Sequence, residues 1–306
     1  MITLNTEQGL TIVESWDDIE SRPGFVTDLN PSDHKLDSII GRYLFRDKIR
    51  CGLSNCHTPH AKGYIATTKE GLSTNIGKDC GKKYFGVDFE TMSKKFDRDI
   101  TEAENRSRLC GFSLQVEEIE RLLSELRQKP RGADWVYKKT RALVSARNGC
   151  PEEVVRRIST MLKNGTNTLT TEREATSSEV DALEAMQGRT LQRPHVISEP
   201  VADIAGLQAL YPENDLKALL VLDLETNLRE FKDKDIDSLT YDELRRWTKW
   251  ADSVENTMER ANNAVALGGD LLTQANLEPF SRVLVKREDN ALLREYLRGL
   301  HEERNP

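Results

Sequence analysis

Three cysteines and two histidines fall within thirty residues of a chain that has five of each. The stretch Cys51-Gly-Leu-Ser-Asn-Cys56-His57-Thr-Pro-His60 is followed, a short hairpin's length later, by Cys80. Thiolate and imidazole are the ligands zinc prefers, and a closed site needs four of them in a tetrahedron. Cys51 and Cys56 supply two from one short turn, and Cys80 supplies another. The remaining ligand is His60 or His57. His60 is the better placed, because adjacent residues such as Cys56 and His57 bind one ion less easily. With every position filled by protein, the expected site holds one structural Zn2+ and is not catalytic. Glycines 52, 77 and 81 should let backbone N–H groups approach the sulfurs. A nucleophilic cysteine would need a base and an oxyanion donor around it, and Cys56-His57 alone is a weak sign of that. Cys110 and Cys150 lie in helical context and read as small core or helix-end residues. The odd cysteine count points to a reducing, cytoplasmic setting. So does the N-terminus, Met1-Ile2-Thr3-Leu4-Asn5, which has no basic stretch before an apolar run.

The elements that must position these ligands follow from the same segment. Gly63–Thr68 reads as a strand, Lys69-Glu70-Gly71 as its turn and Leu72–Ile76 as the return strand. Gly77-Lys78-Asp79-Cys80-Gly81 then brings a thiol to a tight turn or helix start. Knuckle, hairpin and a ligand near a helix start together resemble a small single-zinc finger of treble-clef type, over about residues 42–95. That family usually offers a Cys-x2-Cys-like second pair; this chain has only Cys80 there, and His60 is the substitute. The phrase Ile76-Gly77-x-x-Cys80-Gly81-x-x-Tyr84-Phe85-Gly86 is similar to one in uncharacterised bacteriophage and prophage zinc-finger proteins, from which no activity follows.

Upstream, Ile2–Leu4 and Leu10–Glu14 read as short strands, and Leu36–Phe45 as a strand or a short helix. From Asp88 the apolar residues Phe89, Met92, Phe96 and Ile100 recur at helical spacing. The phase slips near Gly111, and a second series, Val116, Ile119, Leu123 and Leu126, ends at Lys129-Pro130-Arg131-Gly132. Helices Ala133–Arg147 and Pro151–Lys163 follow, with Pro151 in the first turn, where its missing N–H is not needed. Residues 164–200 hold few large apolar side chains and read as a linker, with a short helix at Ser178–Met186. Beyond it, Leu216–Phe231 reads as a buried helix, with a strand at Ala218–Leu224 as the alternative. Thr240 and Glu243 match a capping box. Leu244, Trp247, Ala251, Val254, Met258, Ala261 and Val265 alternate spacings of three and four, ending at Gly268-Gly269. This seam suits either an intramolecular helical hairpin or a coiled-coil homodimer. The expected fold is mainly α. A small N-terminal α+β zinc module with a β-hairpin is followed by helical hairpins or a bundle with short coiled-coil-like segments. The expected divisions are 1–41 (short strands and turns), 42–95 (zinc module), 96–163 (helical), 164–200 (linker) and 201–306 (acidic helical domain).

The chain of 306 residues carries a net charge of −7, and 37% hydrophobic against 31% charged residues disfavours a large single-core enzyme. No run approaches the ~18 apolar residues of a membrane helix. The charge is uneven: residues 1–41 sum to −6, 42–98 to +6 and 199–306 to −8. The basic island therefore coincides with the ligand cluster. Within it Arg42, Arg46, Lys48, Arg50, Lys62, Lys78, Lys82 and Lys83 are interleaved with Tyr64, Tyr84 and Phe85. Such cations neutralise phosphates, and such aromatics stack on unpaired bases. A second basic-aromatic run spans Arg127 to Arg141 and includes Trp135 and Tyr137. Phosphate-cradling loops, dinucleotide fingerprints, nucleophile elbows and His-Glu-x-x-His are all missing. Asp223 and Glu225 read as a solvated face. The sequence thus points to a non-enzymatic, zinc-stabilised binding protein. One expectation is a nucleic-acid-binding accessory protein. The other, of equal standing, is a scaffold or inhibitor, phage-encoded and host-directed, that sequesters a protein partner.

Overall fold

A computed structural model describes residues 1–6, 9–145 and 149–300. Strands β1 (Ile2–Thr6), β2 (Gly9–Val13), β3 (Leu36–Arg50), β4 (Pro59–Thr68) and β5 (Ser73–Gly77) form one antiparallel sheet in the order β2-β1-β3-β4-β5. The Leu36–Phe45 ambiguity resolves as strand: Gly41 and Tyr43 are buried at period two on one face, while a bulge between Ile39 and Gly41 leaves Ile39 in the core of the other. On one face Ile2, Leu4, Tyr43 and Ile65 pack with Ile19 of helix α1 (Asp17–Glu20), rimmed by Trp16, Phe25 and Phe45. On the other, Tyr64, Ala66 and Ile76 pack with Cys51 and Leu53 under Phe89, Phe96 and Ile100 of α2 (Lys78–Ser113). Helix α2 starts at Lys78, ahead of the apolar series that begins at Phe89, and breaks at Gly86, whose φ of 62° is left-handed. The small sheet and the helical body expected from the sequence are both present.

The chain divides into two compact units, residues 1–112 with 235–249, and residues 113–234 with 250–306. The second contains α3 (Val116–Gln128), α4 (Ala133–Val144) and α5 (Glu152–Asn164). Gly132 separates the first two where the sequence placed the stop. Pro151 precedes α5, and Gly165 closes it in the left-handed conformation, φ 63°. The expected end of α4 beyond Ser145 falls on residues 146–148, outside the described residues.

The segment read as a linker is structured. Strands β6 (Thr168–Glu174) and β7 (Val196–Asp203) pair antiparallel, with α6 (Ser177–Gln187) between them. Polar ties hold it. Arg173 reaches Glu179 at 2.7 Å and Glu199 at 2.9 Å, and Thr176 with Glu179 forms a capping box on α6. The Arg173 guanidinium, with the Thr176 N–H and hydroxyl, holds the Glu179 carboxyl down to about 2, from 4.5. A depressed acid contributes stability above its unfolded value and loses it as pH falls. Thermal melts should therefore show wild type losing stability between about pH 4.5 and 2, and Glu179→Gln losing less across that window. Equal pH dependence in the two proteins would refute this role.

A π-helical stretch, Lys217–Glu225, continues into α7 (Thr226–Lys232). Here Asp223 is no solvated carboxylate: it accepts hydrogen bonds from Trp250 Nε1 at 3.0 Å and Asn227 Nδ2 at 3.1 Å. Of the heptad seam, Leu244, Trp247, Val254, Ala261 and Val265 are buried and Ala251 and Met258 half-buried, and the seam is shared between α8 (Tyr241–Ala251) and α9 (Val254–Leu271). Helix α9 also runs through Gly268-Gly269, and the Val136 side chain lies where a Gly268 Cβ would stand. Two further helices, α10 (Gln274–Leu277) and α11 (Arg287–Gly299), close the described chain. No described helix is long and apolar enough to cross a membrane.

Candidate metal centre

Three elements meet at the thiols. Cys51 follows the last residue of β3, Cys56 sits in the turn before β4, and Cys80 is the third residue of α2. The Sγ atoms of Cys51, Cys56 and Cys80 all lie within 4.8 Å of one another, with Cys56 and Cys80 3.2 Å apart. The Cys51 thiol reaches the Asn75 carbonyl at 3.8 Å and the Cys56 thiol the Thr58 hydroxyl at 3.4 Å. The backbone amides of Leu53 and Gly77 favour the ionised form of Cys51, and that of Thr58 favours the ionised form of Cys56. Two of these amides belong to the second residue past each cysteine, as a turn that presents sulfur to a cation needs. His57, at φ 53°, makes the left-handed step that lets the Thr58 N–H face Cys56.

Of the three glycines expected near sulfur, Gly77 alone serves that purpose. Gly52 leaves room for Thr74 and Gly81 for the Phe89 ring, whose atoms lie 2.2–2.4 Å from where a Cβ would stand.

The thiols differ in acidity. Burial resists ionisation at Cys56, but hydrogen bonds from Thr58 and from the neighbouring thiols outweigh it and hold the group down to about 7. Burial first, then the neighbouring thiols, push Cys80 up to about 12. Burial also raises Cys51, with the Leu53 and Gly77 amides opposing. Three thiols in mutual contact cannot all ionise without a cation between them, and a divalent ion would reverse those shifts.

Neither histidine is a member of the three-thiol group. His60 shares a hydrogen bond between Nδ1 and the Tyr43 hydroxyl at 2.9 Å, while its Nε2 is buried without a partner. Burial lowers its pKa, which keeps the ring neutral. Its ring covers Gly77, where a Cβ would stand 2.6 Å from Cδ2. His57 has Nε2 3.4 Å from the Asp28 carboxylate and a buried, unpartnered Nδ1. Each imidazole thus has one nitrogen oriented by a neighbour and one unsatisfied, the state of a histidine that binds metal through its second nitrogen. Asp28 was not legible as a site residue because it comes from outside the 42–95 segment, and Tyr43 because its contact with His60 depends on the pairing of β3 with β4.

The cations and aromatics of the basic island separate. Tyr64 is 2% exposed and donates to Asp97 at 2.6 Å, so it cannot stack on a base. Tyr84 is half-buried and donates to the Asn55 carbonyl at 3.0 Å, and Phe85 packs on the core. Arg42 pairs with Glu104 at 2.7 Å, Lys82 with Glu90 at 3.2 Å and Arg50 with Asp28 at 3.7 Å. Arg46, Lys48, Lys62, Lys78 and Lys83 are exposed and make no ion pair among the described residues, although Lys83 lies over the Tyr84 ring. In the second basic-aromatic run, Trp135 lies under Arg131 and Tyr137 under Arg141.

Comparison of the chain with family models, with curated proteins and with solved structures returned no match.

Proposed function

We propose that Cys51, Cys56, Cys80 and His60 hold one structural Zn2+, with the Tyr43 hydroxyl orienting His60. The module so formed belongs to a non-enzymatic accessory protein that binds nucleic acid. The observation that carries this reading is the set of five exposed cations, Arg46, Lys48, Lys62, Lys78 and Lys83, on the segments that the three thiols tie together. Each is without an ion-pair partner among the described residues. Cations left unneutralised around a rigid structural centre are suited to an external polyanion.

Fluorescence anisotropy of the full chain with labelled nucleic acid tests the function. Binding should weaken steeply with salt, and reversing Lys78 and Lys83 to Glu should weaken it at least about tenfold. Absent or salt-insensitive binding, together with a protein complex that survives nuclease, would replace this reading with protein sequestration. Metal analysis tests the fourth ligand: His60→Ala should lower zinc occupancy and His57→Gly should retain it. The reverse result would move the role to His57.

A further inference from the structure

We infer that the nucleic acid is a double helix, gripped by its phosphates across the thiol-bearing end of the sheet, and not an unpaired strand. This rests on the nucleic-acid reading above and narrows it. The first ground is placement. Lys62 stands cross-strand from Leu44, and on its other side the β4–β5 ladder ends at the pair Gly63 with Gly77, so Lys78, the first residue of α2, leaves the sheet at the same end. Neighbouring strands lie about 4.8 Å apart, so these positions make a short transverse row.

The row is extended by a bulge. Between the pairs Leu44 with Lys62 and Ile49 with His60, β3 spends residues 45–48 where β4 spends only residue 61. The surplus pushes Arg46, Asp47 and Lys48 into solvent, and all three are exposed. Phe45 pins the base of the bulge, stacked on Tyr43 with centroids 5.5 Å apart and edge-on to Trp16 at 5.8 Å. Bulges of this kind re-aim side chains. Here two cations are re-aimed off a rigid support, so little ordering accompanies their contact with phosphate. Leu44, 61% exposed, sits within this row and offers an apolar contact to a sugar edge.

The second ground concerns stacking. Every Phe, Tyr and Trp of the chain lies among the described residues, and each is buried or half-buried. Proteins that hold unpaired strands add aromatic platforms to a basic groove, and the bases stack there. With cations presented and aromatics withheld, the surface favours a polyanion whose bases are already stacked within it. Contacts of this sort position a duplex without reading its sequence.

The test is anisotropy of the full, zinc-loaded protein with a short labelled DNA duplex and with each of its separated strands, across a salt series. The duplex should bind at least about tenfold tighter than either strand. Replacing Arg46, Lys48 and Lys62 together by Gln should reduce the steepness of log K against log salt by up to about 0.9 per lost contact. Leu44→Ala should weaken binding with the slope unchanged. Circular dichroism and zinc content should match wild type in each variant. Equal or tighter binding of single strands would overturn the duplex assignment while leaving the phosphate-binding reading intact. An unchanged slope in the triple variant would overturn the assigned surface. Failure to bind any of the three probes would overturn both readings.

Discussion

Stripping the metal with a strong chelator, or replacing Cys51 by Ser, should melt the turn that carries the thiols and leave the sheet standing. In zinc-finger peptides the metal supplies ~10–16 kcal/mol of apparent binding free energy and the fold is lost without it. This unit differs, because it has two apolar cores of its own. Phe89, Phe96 and Ile100 cover one face of the sheet, and Ile2, Leu4, Tyr43 and Ile65 pack with Ile19 on the other. What would depend on a bound ion is the stretch from Cys51 to Thr58 and the first segment of α2, before the break at Gly86. There three thiols with opposed protonation preferences crowd together, with the Cys56 and Cys80 sulfurs 3.2 Å apart. The expected loss is several kcal/mol, or about 10 °C or more in the melting temperature of the unit. Hydrogen exchange should locate it, with protection lost across residues 51–58 and 78–85 and retained at Ile65 and Phe96. A chelated protein with unchanged melting and exchange would remove the metal from the account.

The three-thiol group was readable because cysteines are scarce side chains, and their spacing survives any fold that closes the hairpin; the histidines expected beside them lie outside that group. The surroundings were not readable for specific reasons. Tyr64 looked available because aromatic and basic residues alternate near it. Yet Gly63, Tyr64, Ile65 and Ala66 are all buried, since β4 is central and covered on both faces. Which face a helix covers is decided by α2, from outside the strand. The start of α2 was placed late because Gly77 and Gly81 read as turn residues. Gly81 is helical, and its missing Cβ makes room for a ring eight residues on. The paired strands β6 and β7 escaped notice because polar ties such as Arg173 to Glu199 link positions far apart in sequence, which composition cannot register. The divided seam between α8 and α9 shows the converse: periodicity reports which residues are buried, not that one helix carries them all.

Phe89→Ala should weaken both the fold and the metal site, although Phe89 is not one of the grouped ligands. The ring is fully buried, fills the place of a Gly81 Cβ and meets Tyr64 edge-on with centroids 5.7 Å apart. Truncating a buried Phe costs about 3–5 kcal/mol through lost transfer and an unfilled cavity. Urea unfolding should show that drop. The cavity would open directly beneath the helical turn that carries Cys80, so zinc should pass to a competing chelator more readily than from wild type. The chain itself provides a control in Phe96→Ala: that ring lies two turns further along α2, so its loss should destabilise the unit while sparing zinc affinity. Gly81→Ala supplies the reciprocal perturbation, since its Cβ would press on the Phe89 ring. Combined with Phe89→Ala the clash disappears, so the double variant should be more stable than the two single losses added together, by on the order of 1 kcal/mol. Strict additivity, or zinc retention unaffected by Phe89→Ala, would show that Cys80 is positioned by the thiol cluster alone and not by the ring packed under its helix.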